Sequence, residues 1–294
     1  MASKHPLVSI IMNCYNSDRF LKEAIDSIYA QTFLDWEIIF WDNASTDSSG
    51  EIARSYDDKL KYYRAENTTP LGEARNLAIE KAAGKYLAFL DCDDLWLEDK
   101  LQAQMEIFSK EDEDLGFVYG RSEKFYSNGR WKNQVFRKGE NLPEGRIFNE
   151  LIKENFVPFL SGVIDREKFI ACGGFPKHFK NSTDYYIFLN LAQRYSVRAL
   201  QDVCCMYRIH ENNLSQSQRV IAAKENIEIV SLFLPDDSAR IGLKHQYVYL
   251  ALSYFIEKKI ISAFMVLLSK GGWMLFLRRI WRWALSSRRN SVKS

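Results

Sequence analysis

Three carboxylates, Asp91, Asp93 and Asp94, directly follow the apolar run Tyr86-Leu87-Ala88-Phe89-Leu90. Such a run reads as a buried strand that delivers charge to the edge of a sheet. Side chains on extended backbone alternate faces, so Asp91 and Asp93 point one way and Cys92 the other. Two hard oxygen ligands on one side suit a divalent cation such as Mg2+ or Mn2+. A cation there would neutralise a diphosphate, which makes a nucleotide-linked donor the first expectation. An Asp after a strand can also simply close a turn or cap the next helix. The surrounding elements decide between these readings.

Those elements alternate. Leu7 to Met12 is a short apolar run with Val and Ile, as in a buried strand. Asp18 opens a helix with Leu21, Ala24, Ile25, Ile28 and Tyr29 on one face. Trp36 to Trp41 is a second strand, ended by Asp42-Asn43. Ser48 to Tyr56 reads as a helix and Leu60 to Arg64 as a third strand. Leu71 to Ala83 is a helix stopped by Gly84, and Tyr86 to Leu90 is the fourth strand. Alternating strands and helices imply βαβ units, an α/β class and a mostly parallel sheet. Ligands of such sheets bind outside the carboxyl ends of the strands. Three predicted strand ends carry polar groups there: Asn13-Cys14-Tyr15-Asn16, Asp42-Asn43-Ala44-Ser45 and Asp91-Cys92-Asp93-Asp94. The stretch from Leu115 to Ile209 reads as less regular, as a region that shapes an acceptor site would. From Ser217 onward the pattern is helical, which places a catalytic domain at 1–215 and a helical C-terminal region at 216–294.

Bulk properties narrow the classes. The chain has 294 residues, with 47% hydrophobic and 27% charged residues, enough to bury an ordinary globular core. A net charge of +2 argues against nucleic acid as the main partner. That charge is uneven: residues 271–294 hold six cations and no acid, which leaves −4 for the rest of the chain. Five cysteines, with no C-x-x-C pair or zinc spacing, suggest reduced, buried thiols in a reducing compartment. No long apolar segment follows the N-terminus, and the stretch Ala263 to Leu277 is interrupted by Lys270 and Gly271-Gly272, too short to span a bilayer. A cytoplasmic location is expected.

Together, Pro6-Leu7-Val8-Ser9-Ile10-Ile11-Met12-Asn13-Cys14-Tyr15-Asn16, Ser27-Ile28-Tyr29-Ala30-Gln31-Thr32-Phe33, Asp42-Asn43-Ala44-Ser45-Thr46-Asp47, Gly72-Glu73-Ala74-Arg75-Asn76, Phe89-Leu90-Asp91-Cys92-Asp93-Asp94, Gly173-Gly174-Phe175 and Tyr207-Arg208-Ile209-His210 resemble the family 2 glycosyltransferases. The ordered set covers roughly residues 6–215. The resemblance implies the GT-A nucleotide-sugar fold and a metal-dependent, inverting transfer from a nucleoside-diphosphate sugar, UDP-linked by family habit, with thymidine and guanosine as the other bases open. The acceptor would be a glycan or lipid-linked hydroxyl in surface polysaccharide synthesis. It further implies that Asn13, Tyr15 and Asn16 line the base pocket, with Tyr15 against the base and Asp42 accepting a hydrogen bond from it. Arg75 would lie near the base and diphosphate, and Asp91 by the ribose and metal. Asp93 would be the principal ligand of Mn2+ or Mg2+, with His210 close to it. The second acidic motif falls at Thr183-Asp184-Tyr185, with Thr where Glu is commoner, and makes Asp184 the general base. Asp184 could equally cap the helix Tyr185 to Arg194, and capping does not exclude catalysis.

Two other functions compete. A sugar-1-phosphate nucleotidyltransferase has a similar sheet and carboxylates, but Asn13 to Asp18 lacks a Gly-rich phosphate loop. A non-catalytic, membrane-associated binding protein of the same fold is the other. Trp273 to Leu285 bears on it: as a helix it places Trp273, Phe276, Leu277, Ile280 and Trp281 on one face, beside three Arg. A basic, Trp-bearing amphipathic helix suits an anionic membrane surface. That gives residues 271–294 a peripheral contact at the inner face of the membrane. The alternative is a helix docked on the protein with its Arg in water.

Overall fold

The computed structural model describes residues 5–110, 113–126, 134–211, 213 and 217–281. The chain divides into two compact units, residues 1–148 with 156–213, and residues 149–155 with 214–294.

In the first unit, strands β1 (Val8–Cys14), β2 (Trp36–Asp42), β3 (Leu60–Arg64) and β4 (Tyr86–Phe89) are joined through helices α1 (Asp18–Tyr29), α2 (Ser49–Arg54) and α3 (Leu71–Ile79). The pairs β1–β2, β2–β3 and β1–β4 are all parallel, in the order β3-β2-β1-β4. Every residue of β2 and β4 is buried, as expected for strands covered on both faces. Helix α1 buries Leu21, Ala24, Ile25 and Ile28, the predicted stripe, against Ile10, Met12, Ile38 and Phe40.

After β4 the chain crosses to the far edge of the sheet as β5 (Leu95–Trp96) and continues into α4 (Lys100–Lys110). The stretch expected to be irregular completes the sheet. It supplies β6 (Leu115–Tyr126), β7 (Gln134–Val135), the short helix α5 (Phe148–Leu151), β8 (Val163–Asp165), α6 (Arg166–Ala171), α7 (Thr183–Arg194) and β9 (Ser196–Ile209). Strand β8 lies antiparallel between β4 and β6, and β6 runs parallel to β9. Register shifts around Gly120 and Arg121 interrupt the β6–β9 pairing, which is why side-chain alternation does not announce these strands. The fold is α/β, with a parallel N-terminal half and a mixed second half.

One junction fixes where α3 ends. The helix stops at Ile79, short of the predicted Ala83. Beyond it, the amide of Ala83 donates to Glu37 Oε1 at 2.9 Å and the amide of Gly84 to Ser9 Oγ at 2.8 Å. Ser9 in turn donates to Glu37 Oε1 at 2.6 Å, and Lys61 Nζ meets Glu37 Oε2 at 2.5 Å. A Cβ on Gly84 would lie 2.5 Å from the Ser9 nitrogen, so only glycine fits. Burial pushes the Glu37 carboxyl up, but Lys61, Ser9 and the Ala83 amide outweigh it and hold the carboxyl below its ordinary range.

The second unit holds α8 (Arg219–Ser231), α9 (Asp237–Ile256) and α10 (Ile260–Lys270), followed by helix over 273–281. Gly242 lets α9 approach the backbone of Ile152, where a Cβ would lie 2.8 Å from the carbonyl oxygen. The single apolar face expected for the last helix is divided: Phe276 is buried and Trp273 and Ile280 pack on the bundle, whereas Leu277 and Trp281 are exposed. Residues 282–294, including the rest of the predicted amphipathic segment to Leu285, lie outside the described residues. Among the described residues no helix is long and apolar enough to cross a membrane. The five cysteines are unbridged and buried.

Glu37→Gln keeps the shape but loses the charge on three hydrogen bonds. It should cost about 2 kcal/mol at neutral pH, read from urea unfolding. A carboxyl held low in the folded state stabilises above the ordinary carboxylate range and loses that contribution as pH falls through its folded pKa. The gap between wild type and variant should therefore close on acidification.

Candidate active site

Two loops at the carboxyl ends of β1 and β2 support each other. Asn16 and Ala44 both adopt left-handed backbone, at φ 49° and 66°, which costs a residue such as Ala about 1–2 kcal/mol. The surroundings hold them there. The Asn16 amide donates to Ser45 Oγ at 3.0 Å, Thr46 N donates to Asn16 Oδ1 at 2.8 Å, and Asn43 N donates to the Cys14 carbonyl at 2.8 Å. Tyr15 stands on this rim, 54% exposed, with its ring available for stacking. Below it, Asn13 Nδ2 is a buried donor without a partner among the described residues.

Asp42 sits at the floor rather than the surface. It is fully buried; Oδ1 accepts from Ser45 N at 2.7 Å, and Oδ2 from Tyr62 Oη at 2.6 Å and Arg64 Nη1 at 2.8 Å. Burial raises its pKa, but Tyr62, Ser45 and Arg64 outweigh that and hold it low. Tyr62 and Arg64 both engage Oδ2, and Ser45 N is the donor to Oδ1. As it stands, Asp42 shapes the Ala44–Thr46 turn.

Arg75 is buried on α3, with its guanidinium 4.0 Å above the Phe159 ring and 5.5 Å from that of Phe175. Nη1 donates to Thr183 Oγ1 at 2.7 Å and Nη2 reaches Asp91 Oδ1 at 3.4 Å. The Thr183 departure from the commoner Glu thus has a use: its hydroxyl anchors the arginine. Burial lowers the Arg75 pKa, opposed by the charges of Asp91 and Asp184. The rest of the Gly72-Glu73-Ala74-Arg75-Asn76 segment docks α3. Asn76 exchanges hydrogen bonds with the Phe175 backbone at 2.9 and 3.0 Å, and a Cβ on Gly72 would strike the Pro176 carbonyl oxygen at 2.2 Å. This seats α3 beside the start of α7, where Asp184 occupies the first turn.

The acidic loop is held from the other side. Asp94 is 1% exposed; its Oδ1 accepts from the Arg208 amide at 2.8 Å, and its own amide donates to the Asp91 carbonyl at 3.2 Å. Burial, then the charges of Asp93 and Asp91, push its carboxyl well above the ordinary range, with Arg208 opposing. Asp94 orients the loop through Oδ1, while its Oδ2 is buried without a hydrogen-bond partner among the described residues. Asp93 Oδ2 and His210 Nε2 are 2.8 Å apart. Asp91, with a side chain 45% exposed, faces Arg75. Desolvation raises the Asp91 pKa, Arg75 opposes, and Asp93 and Asp184 raise it further, so three carboxylates share one small volume.

Arg208 stood in the Tyr207-Arg208-Ile209-His210 motif, but the sequence assigned it no role. Its guanidinium lies between the rings of Phe20 and Phe125, at 4.2 and 4.6 Å. Nε donates to the Asp93 carbonyl at 2.7 Å and Nη2 to Glu23 Oε2 at 2.9 Å. The available signal was strand alternation: Arg208 and His210, two apart at the end of β9, share a face.

Of the expected metal set, Asp93 and His210 are together, and Asp91 is adjacent but turned to Arg75. Among the described residues no three His, Cys, Asp or Glu side chains form a ready cage. The donor set still fits a hard cation: Mg2+-like ions are usually held by one or two carboxylates plus substrate phosphates, and the excess of carboxylates here calls for positive charge.

Residues 9–210 match glycosyl transferase family 2, and the chain belongs to that family. Membership removes the nucleotidyltransferase alternative. The chain is 28% identical over 249 residues to the Escherichia coli UDP-Glc:alpha-D-GlcNAc-diphosphoundecaprenol beta-1,3-glucosyltransferase WfgD, covering 84% of this chain and 94% of that protein. It resembles the mannosyltransferase PcManGT of Pyrobaculum calidifontis, solved with GDP-Man and Mn2+, at TM-score 0.64 and 19% identity, covering 96% of this chain and 81% of the other. It also resembles S. aureus TarS 1–349, solved with UDP-GlcNAc, at TM-score 0.60 and 21% identity, covering 84% and 72%. At these identities the two structures establish the fold, which is GT-A.

Arg208→Met removes the charged donor to the Asp93 carbonyl while leaving the backbone bond to Asp94. It should lower stability by about 2–3 kcal/mol, measured by urea denaturation.

Proposed function

We propose that the protein transfers a sugar, with inversion, from a UDP-linked donor to a hydroxyl of a lipid-linked glycan in surface polysaccharide assembly. The observation that carries this is the gathering of Asp184, Arg75, Asp91 and the Asp93–His210 pair at the carboxyl ends of the parallel strands. The lipid-linked acceptor and uridine donor are supported by the WfgD relative, whose name states both, and by the UDP-GlcNAc complex of TarS.

Tyr15 offers its exposed ring to the base, Asn13 Nδ2 an unused donor to a base carbonyl, and Asn16 holds the turn against which the base rests. Asp91, Asp93 and His210 would hold Mn2+ or Mg2+, which supplies charge stabilisation to the departing diphosphate. Arg75 adds a fixed cation with no reorganisation. Asp184 takes the acceptor proton as the acceptor oxygen attacks the anomeric carbon. The new carbon–oxygen bond forms as the bond to the diphosphate breaks on the opposite face, and the nucleoside diphosphate leaves with the electron pair.

Asp184→Asn should reduce turnover by about 10²–10⁴-fold while the UDP-induced rise in melting temperature persists. Normal turnover in this variant would place the base elsewhere. Asp93→Ala should abolish the part of the UDP-induced melting shift that requires Mn2+. If no nucleoside diphosphate, with or without metal, raises the melting temperature, the donor assignment fails.

A further inference from the structure

The C-terminal unit carries an apolar surface that its own bundle does not cover. Helix α10 buries Ala263 and Leu267 and leaves Ile261, Phe264, Met265 and Leu268 in solvent. Ile261 is 82% and Leu268 69% exposed. On a helical wheel these four fall within one arc beside the buried pair. The helix over 273–281 repeats the arrangement. Phe276 faces inward with Trp273 and Ile280, while Met274, Leu277 and Trp281 face out, Trp281 at 66% exposure. The two helices meet through the Phe264 and Trp273 rings, 5.3 Å apart, and the turn between them is made by Gly271 and Gly272, both at positive φ. An open apolar cavity of about 480 Å³, lined by Ile241, Trp273, Met274 and Leu275 with Lys244 and His245, adjoins them.

The charge on this stretch is mainly basic, with Lys259 paired to Glu257 at 2.7 Å and Arg279 3.8 Å from Glu154. Residues 258–281 contain Lys258, Lys259, Lys270, Arg278 and Arg279 and no Asp or Glu. Lys258, Lys259, Lys270 and Arg278 are exposed. Exposed aliphatic, aromatic and Trp side chains with cations at their margins match the layered chemistry of an anionic bilayer surface. At 11 residues α10 is about 16 Å long, half the hydrocarbon thickness, so it can lie in the interface but not span it. A second copy of the chain is a poorer occupant, because a twofold contact would face these cations with their own duplicates.

We propose that the outer faces of α10 and of helix 273–281 form a docking surface for anionic lipid bilayers. This surface goes beyond the transfer reaction and does not depend on it. Helix α10 lies upstream of residues 271–294, the segment that composition alone singled out, and helix 273–281 lies within it.

The test is co-sedimentation of the full chain with phosphatidylcholine vesicles, with and without phosphatidylglycerol. Wild type should pellet with the anionic vesicles, less so as salt rises. Ile261→Asp combined with Leu268→Asp changes two solvent-facing positions and should lower vesicle partitioning at least about tenfold, equivalent to 1.4 kcal/mol, with unchanged melting temperature and UDP response. Lys258→Gln with Lys259→Gln and Lys270→Gln should weaken binding and flatten its salt dependence. The proposal is overturned if wild type stays in the supernatant, or if the double Asp variant pellets like wild type. It is equally overturned if sedimentation velocity shows a dimer that the double Asp variant dissolves while neither protein binds vesicles.

Discussion

Three carboxylates within one short loop repel each other and resist burial, and the protein must hold them together before any ligand arrives. Two buried arginines do this. Arg75 lies against Phe159 and Phe175 and reaches Asp91; Arg208 lies between Phe20 and Phe125 and reaches the Asp93 carbonyl. A guanidinium tolerates such a place because its planar face is weakly hydrated and stacks on aromatic rings, leaving its edge for directed hydrogen bonds. The acid loop is thus clamped from two sides by groups far apart in sequence. Removing either clamp leaves the acid loop with one cationic support in place of two.

The parallel half of the fold was legible because its strands are continuous apolar runs ending in polar residues, and helix α1 carries an uninterrupted stripe. The second half was not. Strands β6 and β9 hold Arg121, Glu123, Lys124, Arg198 and Asp202, and their register shifts destroy the alternation that marks a strand. Tyr15, Asp93 and His210 stood out as residue types at strand ends, whereas Asp184, in the first turn of α7, stood out only through the acidic motif at 183–185. Their partners did not. That Arg75 is buried rather than a surface ion pair, and that Asp42 spends its carboxylate on Tyr62, Arg64 and Ser45, depend on contacts across the sheet that no local pattern encodes.

Rigidity is distributed to match. The rim formed by Asn16 and Ala44 has left-handed backbone fixed by reciprocal hydrogen bonds, so its shape exists before binding and little ordering entropy remains to be lost. Asp184 stands instead at the beginning of a helix, and its placement beside Arg75 depends on how α3 meets the loop at Gly174–Pro176 through Asn76 and Gly72.

The clamp on the acid loop also sets a schedule. Asp94 is bound by a residue 114 positions later, and Asp93 by one 117 positions later. A ribosome releases the rim of Asn16 and Ala44 and the acid loop long before it releases β9. Until Arg208 emerges, the nascent chain holds a crowded anionic loop with one of its two cationic supports missing. Such long-range closures are slow relative to local helix formation. The acid loop is therefore fully clamped only late, and a chain interrupted before β9 carries Asp91, Asp93, Asp94 and Asp184 with Arg75 but without Arg208.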